Sequence, residues 1–368
     1  MVDTLYVFAN MGNLDSLPKS GGQTSARRVM KGLDNCGFRI IPICRHRSEW
    51  EGRWLHQIEI LLFAIIDFVK INRKLLFARR KNGAFLHLTY AGPLVPFELL
   101  LTCTAKFLGY KSIIYLKGGQ AIGYYENGSS LYRRIFKKTM DLQSKVFFEG
   151  MECLNLVKRI SQTPLVYFPN YVFDDQIPCV WPNRSKDLVN LIYFGRISPS
   201  KNIHIIIDAF ETLCSKHDNV FLTIIGAKGK STEYVQMIDN RISKSVFASK
   251  ITRKGITPFD EIQVILRNQL FFLFPTAERA EGHSNSLNEA MSQGVIPIVS
   301  DFNFNRSVVG DEVLVVPDYD GSAYANKIEY ILNECDINEL SHRMIKRVKE
   351  NYSYSVVNSK VCNEIKCV

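Results

Sequence analysis

Short apolar runs recur along the first half of the chain at 5–9, 39–43, 85–89, 112–116, 145–149 and 165–169. Each is long enough for a buried strand, and the polar or mixed stretches between them are long enough for helices. That alternation is the rhythm of βαβ units, which build a parallel sheet because parallel neighbours need a long crossover. The segment 24–33 reads as the first helix, with Gly21-Gly22 in a polar loop ahead of it. From about 170 to 187 the rhythm lapses, and Pro178, Pro182, Asn183 and the paired Asp174 and Asp175 suggest a connection between domains. It restarts with apolar runs at 189–194, 220–225, 251–255, 270–274, 296–300 and 313–316, and helical segments from about 337 to 368 close the chain. The pattern predicts an α/β protein with two Rossmann-like domains, 1–175 and 188–350, a linker 176–187 and a C-terminal helical segment 351–368. No solenoid-length repeat and no low-complexity segment interrupts it.

A length of 368 residues supports that division, since one hydrophobic core rarely grows so large. Apolar residues make up 46% and charged residues 22%, a globular balance. The formal charge of +10 suits anionic partners such as nucleotide phosphates, acidic lipid headgroups or nucleic acid, and no nucleic-acid motif accompanies it. Nine scattered cysteines without a Cys-x-x-Cys pair suggest neither a disulfide framework nor a zinc site, so a reducing cytoplasm is expected. The start of the chain is unlike a secretory signal, and the longest apolar run, 60–66, is too short to span a bilayer.

One region adds to the picture. Between 45 and 81, nine Lys or Arg stand against four acids, a local +5, interleaved with Trp50, Trp54, Leu61, Leu62, Ile65 and Ile66. A basic helix with a broad apolar face lies well in the headgroup region of an anionic membrane. The same pattern also describes a core helix whose solvated side is basic.

Candidate chemistry gathers where strands end. Gly195-Arg196 and Lys201-Asn202 follow the run 189–194, at the sheet edge where open α/β folds bind ligands; a planar guanidinium and a point charge suit a diphosphate. Gly21-Gly22 holds the corresponding position in the first domain and permits close approach of backbone to a ligand, or simply a turn. Gly226-Ala227-Lys228-Gly229 walls a nucleotide base or only turns. The stretch 274–297 runs from a strand through a polar loop into a short helix that Gly294 stops, and Glu281 and Glu289 bracket the turn. A helix entered this way aims backbone N–H groups and its positive dipole end at an anion above the loop. Ser286-x-x-Glu289 also fits a capping box; a helix starting near Ser284 would instead leave Glu289 able to accept hydrogen bonds from two hydroxyls of a ribose.

The run from Glu281 to Met291 with Gly294 and Pro297 resembles the signature of retaining glycosyltransferases of family four, which have the GT-B fold. Gly195-Arg196 with Lys201-Asn202 resembles that family's phosphate-binding pair, Gly21-Gly22 its N-terminal glycine loop, and Phe168-Pro169-Asn170 the end of its first domain. The resemblance implies an acceptor-binding first domain, a second domain that binds a nucleotide sugar, and a donor site at the cleft. Glu289 would hold the ribose, Arg196 and Lys201 the diphosphate, and Glu281 with the backbone of Gly282, His283 and Ser284 the sugar and distal phosphate. Gly21, Gly22, Gly195, Gly226, Asn285 and Leu287 complete the implied donor site. No metal or other cofactor is implied, because cations and helix N–H groups stabilise the leaving diphosphate. Many members carry a His where this chain has Lys117, which is placed among the catalytic residues; His87 on the preceding strand is either a substitute or a core histidine. The implied activity is transfer of a hexose from a UDP- or GDP-sugar to a lipid-linked oligosaccharide or polysaccharide acceptor in O-antigen, lipopolysaccharide or capsule synthesis, in the cytoplasm at the inner face of the plasma membrane. The alternatives are a GT-B-fold sugar-nucleotide epimerase and a non-catalytic, nucleotide-controlled membrane-binding module.

Overall fold

The computed structural model describes residues 2–18, 20–46, 53–78, 82–229 and 231–368; the side chains of 53–55 and 57 lie outside that description. The chain divides into two compact units, Met1–Pro169 with Val357–Val368, and Asn170–Val356.

The first unit alternates β1 (Thr4–Ala9), α1 (Gly21–Asn35), β2 (Arg39–Cys44), α2 (Arg53–Ala78), β3 (Gly83–Thr89), α3 (Val95–Phe107), β4 (Lys111–Leu116), α4 (Gln120–Glu126), α5 (Ser130–Asp141), β5 (Lys145–Phe148), α6 (Met151–Ile160) and β6 (Leu165–Tyr167). Its parallel sheet has the order β2-β1-β3-β4-β5-β6, with Leu5 opposite Ile40 on one side and Ala84 on the other. Every residue of β1 and β3 is buried, as expected of strands covered by helices on both faces. Aromatic rings fill the far side of this core: Tyr115 stacks on Phe168 at 4.8 Å, and Phe147 meets Phe168 edge-on at 5.8 Å.

Helix α2 answers both readings of the basic, apolar region. Its inner face, including Asp67, Ile71 and Leu75, is buried. Ile58, Leu61, Leu62, Ile65, Ile66, Val69, Leu76 and Phe77 recur at helical spacing on the other side and are exposed, Phe77 at 82%. Trp50 and residues 47–52 and 79–81 of that region lie outside the described residues. No helix among the described residues is long and apolar enough to cross a membrane.

The second unit runs β7 (Val189–Phe194), α7 (Ile203–Cys214), β8 (Val220–Ile225), α8 (Thr232–Lys244), β9 (Ile251–Lys254), α9 (Phe259–Leu266), β10 (Phe271–Phe274), α10 (Asn285–Ser292), β11 (Ile296–Ser300), α11 (Asn305–Val309), β12 (Val315–Val316), α12 (Gly321–Glu334), α13 (Ile337–Asn351) and α14 (Tyr354–Lys366), the last helix ending in the first unit. Its sheet order is β12-β11-β10-β7-β8-β9, again parallel, so the first strand of the unit pairs with its second on one side and its fourth on the other.

Four expectations need correction. The chain enters the second unit at residue 170, and the stretch 176–187 packs as part of that unit instead of linking two bodies. Arg184 explains why: it is 7% exposed, and its guanidinium donates to the carbonyl oxygens of Arg267 and Gln269 at 2.7 Å and to that of Gln293. A buried cation must be satisfied in this way, and doing so fixes the segment. The terminal residues 357–368 return to the first unit and are no separate segment. Cys36 and Cys362 form a disulfide, where the scattered cysteines suggested none. Gly21 and Gly22 form the first turn of α1, not a loop, because the Ser20 side chain caps the helix by accepting from the Gln23 N–H at 3.3 Å.

Candidate functional site

In the second unit the strand order reverses between β7 and β10, since β8 and β9 extend one side and β11 and β12 the other. The carboxyl ends of the two strands at such a switch point diverge into separate loops and leave a crevice for a ligand. The loop after β7 begins at Gly195, at φ +154°, and lies against Gly226, at φ +151°. A Cβ on Gly226 would collide with the Gly195 carbonyl oxygen, so Gly226 is required by this approach of two backbones. The Ile197 N–H donates to the Ala227 oxygen and the Gly229 N–H to the Ile197 oxygen, both at 2.9 Å. The Asn202 side chain, on a residue at φ +52°, donates to the Pro275 oxygen at 2.9 Å, and the Ala277 N–H donates to the Ser200 oxygen at 2.7 Å. These bonds join the β7 loop to the β10 loop.

Four charges meet there. Lys201 is 8% exposed; its Nζ contacts the Glu281 carboxylate and lies 4.9 Å from the Phe274 ring centre. Burial pushes this amine down to about 7, with Glu278 opposing the shift and Arg196 adding to it. Contact with Glu281 favours the ammonium form. Arg196 pairs with Glu278 at 3.2 Å, and the same carboxylate oxygen accepts from the Ser200 hydroxyl at 2.7 Å. Burial raises the Glu278 carboxyl, but the Ser200 hydroxyl, Arg196 and Lys201 outweigh it and hold the group below its ordinary value. The backbone from Glu278 to Glu281 is a turn, closed by the Glu281 N–H on the Glu278 oxygen at 2.8 Å. Asn303, at φ +46°, donates to the carbonyl oxygens of both residues.

Gly282 leads from the turn to His283, whose carbonyl oxygen accepts from Asn170 at 2.6 Å and whose ring meets Tyr352 edge-on at 4.5 Å. Ser284 is the N-cap of α10 and accepts from the Leu287 N–H. Helix therefore begins at Asn285, and Ser286 lies inside it, which removes the capping-box reading. Glu289 is the fifth helical residue and is buried, and Leu287 and Asn288 on the same helix are buried with it. The first-turn N–H groups of α10 are aimed toward the loop that carries Glu281. Gly294, at φ +73°, ends the helix pressed against Ser341.

The remaining sequence candidates lie in the first unit. A Cβ on Gly22 would approach the Tyr90 hydroxyl to 2.8 Å, so this glycine lets α1 start beside the β3 edge. Lys117, just past β4, is 4% exposed. Its Nζ donates to Ser25 of α1 at 2.7 Å and to the Tyr115 hydroxyl at 3.2 Å, and it pairs with Glu149, whose other oxygen takes the Gly118 N–H at 2.8 Å. Burial lowers the Lys117 amine while Glu149 opposes the shift. The lysine thus fastens the β4 and β5 edges to α1. His87 is fully buried 3.3 Å from Glu98, and burial pushes it down to about 4, the state of a neutral core histidine.

Comparison with known proteins bears on the second unit most directly. Residues 182–351 match the family described as glycosyl transferases group 1. That stretch, a little under half of the chain, is similar to the domain of this family. The capsular polysaccharide biosynthesis glycosyltransferase CapM of Staphylococcus aureus is 27% identical over 169 residues, which span 45% of this chain and 42% of CapM. In fold the whole chain is similar to sucrose-phosphate synthase from Thermosynechococcus elongatus, with a TM-score of 0.74, 14% identity and coverage of 99% of this chain and 98% of that one. It is also similar to HepE of Anabaena, solved in complex with UDP, with a TM-score of 0.72, 10% identity and full coverage of both chains. The two Rossmann-like units are those of GT-B glycosyltransferase structures.

The second unit holds Gly195, Arg196, Lys201, Gly226, Glu281, Gly282, His283, Ser284, Asn285, Leu287 and Glu289, with Lys201 in contact with Glu281 and Gly226 against Gly195, while Gly21, Gly22 and Lys117 belong to the first. The sequence reading missed Glu278 and Ser200, which hold Arg196. Their signal was available only in combination, as an acid and a hydroxyl in the loops that follow β10 and β7. Glu149, the partner of Lys117, was missed as well; it ends the run read as a strand over 145–149.

Proposed function

We propose that the protein is a retaining glycosyltransferase that moves a hexose from a UDP- or GDP-sugar to a lipid-linked oligosaccharide or polysaccharide in surface-glycan synthesis, capsule or O-antigen, at the cytoplasmic face of a membrane. The observation that carries this reading is the meeting of Arg196 and Lys201 with the Glu281 loop at the strand-order reversal of the second unit. The names of CapM and of the UDP complex of HepE support the surface-glycan and nucleotide parts.

In this reading the bond from the sugar anomeric carbon to the diphosphate oxygen breaks, and its electron pair leaves with the nucleoside diphosphate. Arg196, Lys201 and the first-turn N–H groups of α10 stabilise that leaving group, and no metal is needed. The acceptor hydroxyl adds to the same face, and its proton passes to the departing phosphate oxygen. Glu281 is assigned to the transferred sugar and Glu289 to the ribose hydroxyls, with the Gly282–Ser284 backbone, Asn285 and Leu287 beside them. Lys117, occupied by Glu149, Ser25 and Tyr115, is assigned to positioning the β4 edge and not to touching the sugar.

The acceptor side rests on the outer face of α2. Arg73 is exposed among its apolar residues, while the Lys70 and Lys74 amines turn back to the Cys44 and Pro42 carbonyl oxygens; an apolar face carrying a cation suits the headgroup region of an anionic bilayer. We expect co-sedimentation with anionic vesicles at low salt and its loss in Ile65→Glu/Val69→Glu; binding equal to that of neutral vesicles would remove the membrane part. For the donor part, titration with UDP and GDP should show Arg196→Ala and Glu289→Ala weakening nucleotide binding by about tenfold or more. Unchanged affinity in both variants would overturn the assignment.

A further inference from the structure

At the switch point the two cations are each paired with a carboxylate before any ligand enters. Arg196 and Lys201 bring two positive charges and Glu278 and Glu281 two negative ones, each cation in contact with one carboxylate. A diphosphate arriving there meets little net attraction unless a carboxylate gives way. The two acids are not held equally. Glu281 and Lys201 have side chains only 15% and 10% exposed, and separating them would strand a buried charge. Glu278 and Arg196 are 24% and 41% exposed, so solvent screens their attraction and can take over either partner.

We propose that Glu278 is a resident counter-ion of the diphosphate site: in the donor-free state it occupies Arg196 and Ser200, and a nucleoside diphosphate binds by displacing it. The backbone allows this exchange, because Asn303 and the Glu281 N–H hold the carbonyl oxygen of Glu278, so its carboxylate can leave Arg196 and Ser200 by side-chain torsions alone, giving up besides them only the long bond from the Ala280 N–H at 3.5 Å. Ser200 and Arg196 then turn the same donors to phosphate oxygens, which match a guanidinium fork as well as a carboxylate does. When the product diphosphate leaves, Glu278 returns and neutralises the cations. The device tunes product release as much as donor capture, since a site with no resident anion would hold its diphosphate longer.

The inference rests on the nucleotide reading above, and inorganic pyrophosphate separates the two. Calorimetric titration of the full chain at low salt with pyrophosphate, UDP and uridine should show Glu278→Gln binding pyrophosphate and UDP on the order of tenfold tighter than the unsubstituted chain. Uridine affinity should not move, and Arg196→Ala added to Glu278→Gln should abolish the gain. Equal or weaker pyrophosphate binding in Glu278→Gln, with an unchanged melting temperature, would overturn the proposal and make Glu278 a strut. A gain for pyrophosphate with no UDP or GDP binding in any form would uphold the counter-ion and overturn the donor reading. No binding of pyrophosphate, UDP or GDP by any form would overturn both.

Discussion

Burial of the Lys201 amine sets its charge against its surroundings. Water is largely excluded, which pushes the group down to about 7, while Glu278 and the touching Glu281 carboxylate favour the ammonium and Arg196 opposes it. An amine whose folded value lies below its ordinary 10.5 is charged below the folded value and neutral above it. Affinity for a diphosphate should therefore fall as pH rises through about 7 toward 9, where the ligand's own phosphates are already ionised. Lys201→Arg keeps its charge and should flatten that decline; equal slopes in the two proteins would show that another group titrates. A second residue-scale expectation concerns Gly226. Gly226→Ala must place a Cβ on the Gly195 carbonyl at φ +151°, so we expect a loss of about 2 kcal/mol or more in denaturant unfolding, with weakened nucleotide binding. Glu278 shows why such detail escapes the sequence. It stands outside the run from Glu281 to Met291, and nothing local sets it apart from Arg279; it matters because β10 lies beside β7, a neighbour relation no local pattern encodes.

Helix α10 puts the same limit at the level of elements. Ser284 and Ser286 are both plausible caps by residue type, and the choice between them decides what Glu289 can do. The structure caps at Ser284, so Ser284→Ala should cost about 1 kcal/mol in urea unfolding and Ser286→Ala markedly less. The reverse order would restore the capping box and release Glu289 from its proposed ribose role. Strands were the most legible elements, because a strand buried on both faces is a plain apolar run, as β1 and β3 are. Element ends were less so. The run at 313–316 is a 3-10 turn, Glu312–Leu314, capped by Asp311, before the two residues of β12. Gly21-Gly22 read as loop because glycine disfavours helix, and a cap at Ser20 overrode that preference. On α2 the period showed an apolar face but not which apolar face the core would take, and the helix has one buried and one exposed.

At the scale of the whole molecule, the last residues of the chain are tied to its first. The chain leaves the first unit at Pro169 and returns at Val357, and three contacts fasten the returning helix. Cys362 is bonded to Cys36 beyond the end of α1, Glu364 pairs with Lys145 at the start of β5, and Lys366 lies 5.8 Å from the ring centre of Phe38. The two cysteines are separated by 326 positions, so neither number nor spacing could pair them in the sequence; only the fold of the first unit brings them together. A cross-link closing so long a loop removes conformations chiefly from the unfolded chain, for a stabilisation of about 2–4 kcal/mol in the usual range. The pairs Lys145–Glu364 and Lys366–Phe38 are partly solvent-exposed and should contribute much less. Reduction, or Cys36→Ser, should accordingly lower the unfolding free energy by that amount and leave nucleotide affinity unchanged, since Arg196, Lys201 and Glu289 lie in the other unit. Denaturant titration with and without reductant, followed by calorimetry with UDP, reads both quantities. A loss of affinity on reduction would show that docking of the returning helix supports the donor site as well as the first unit.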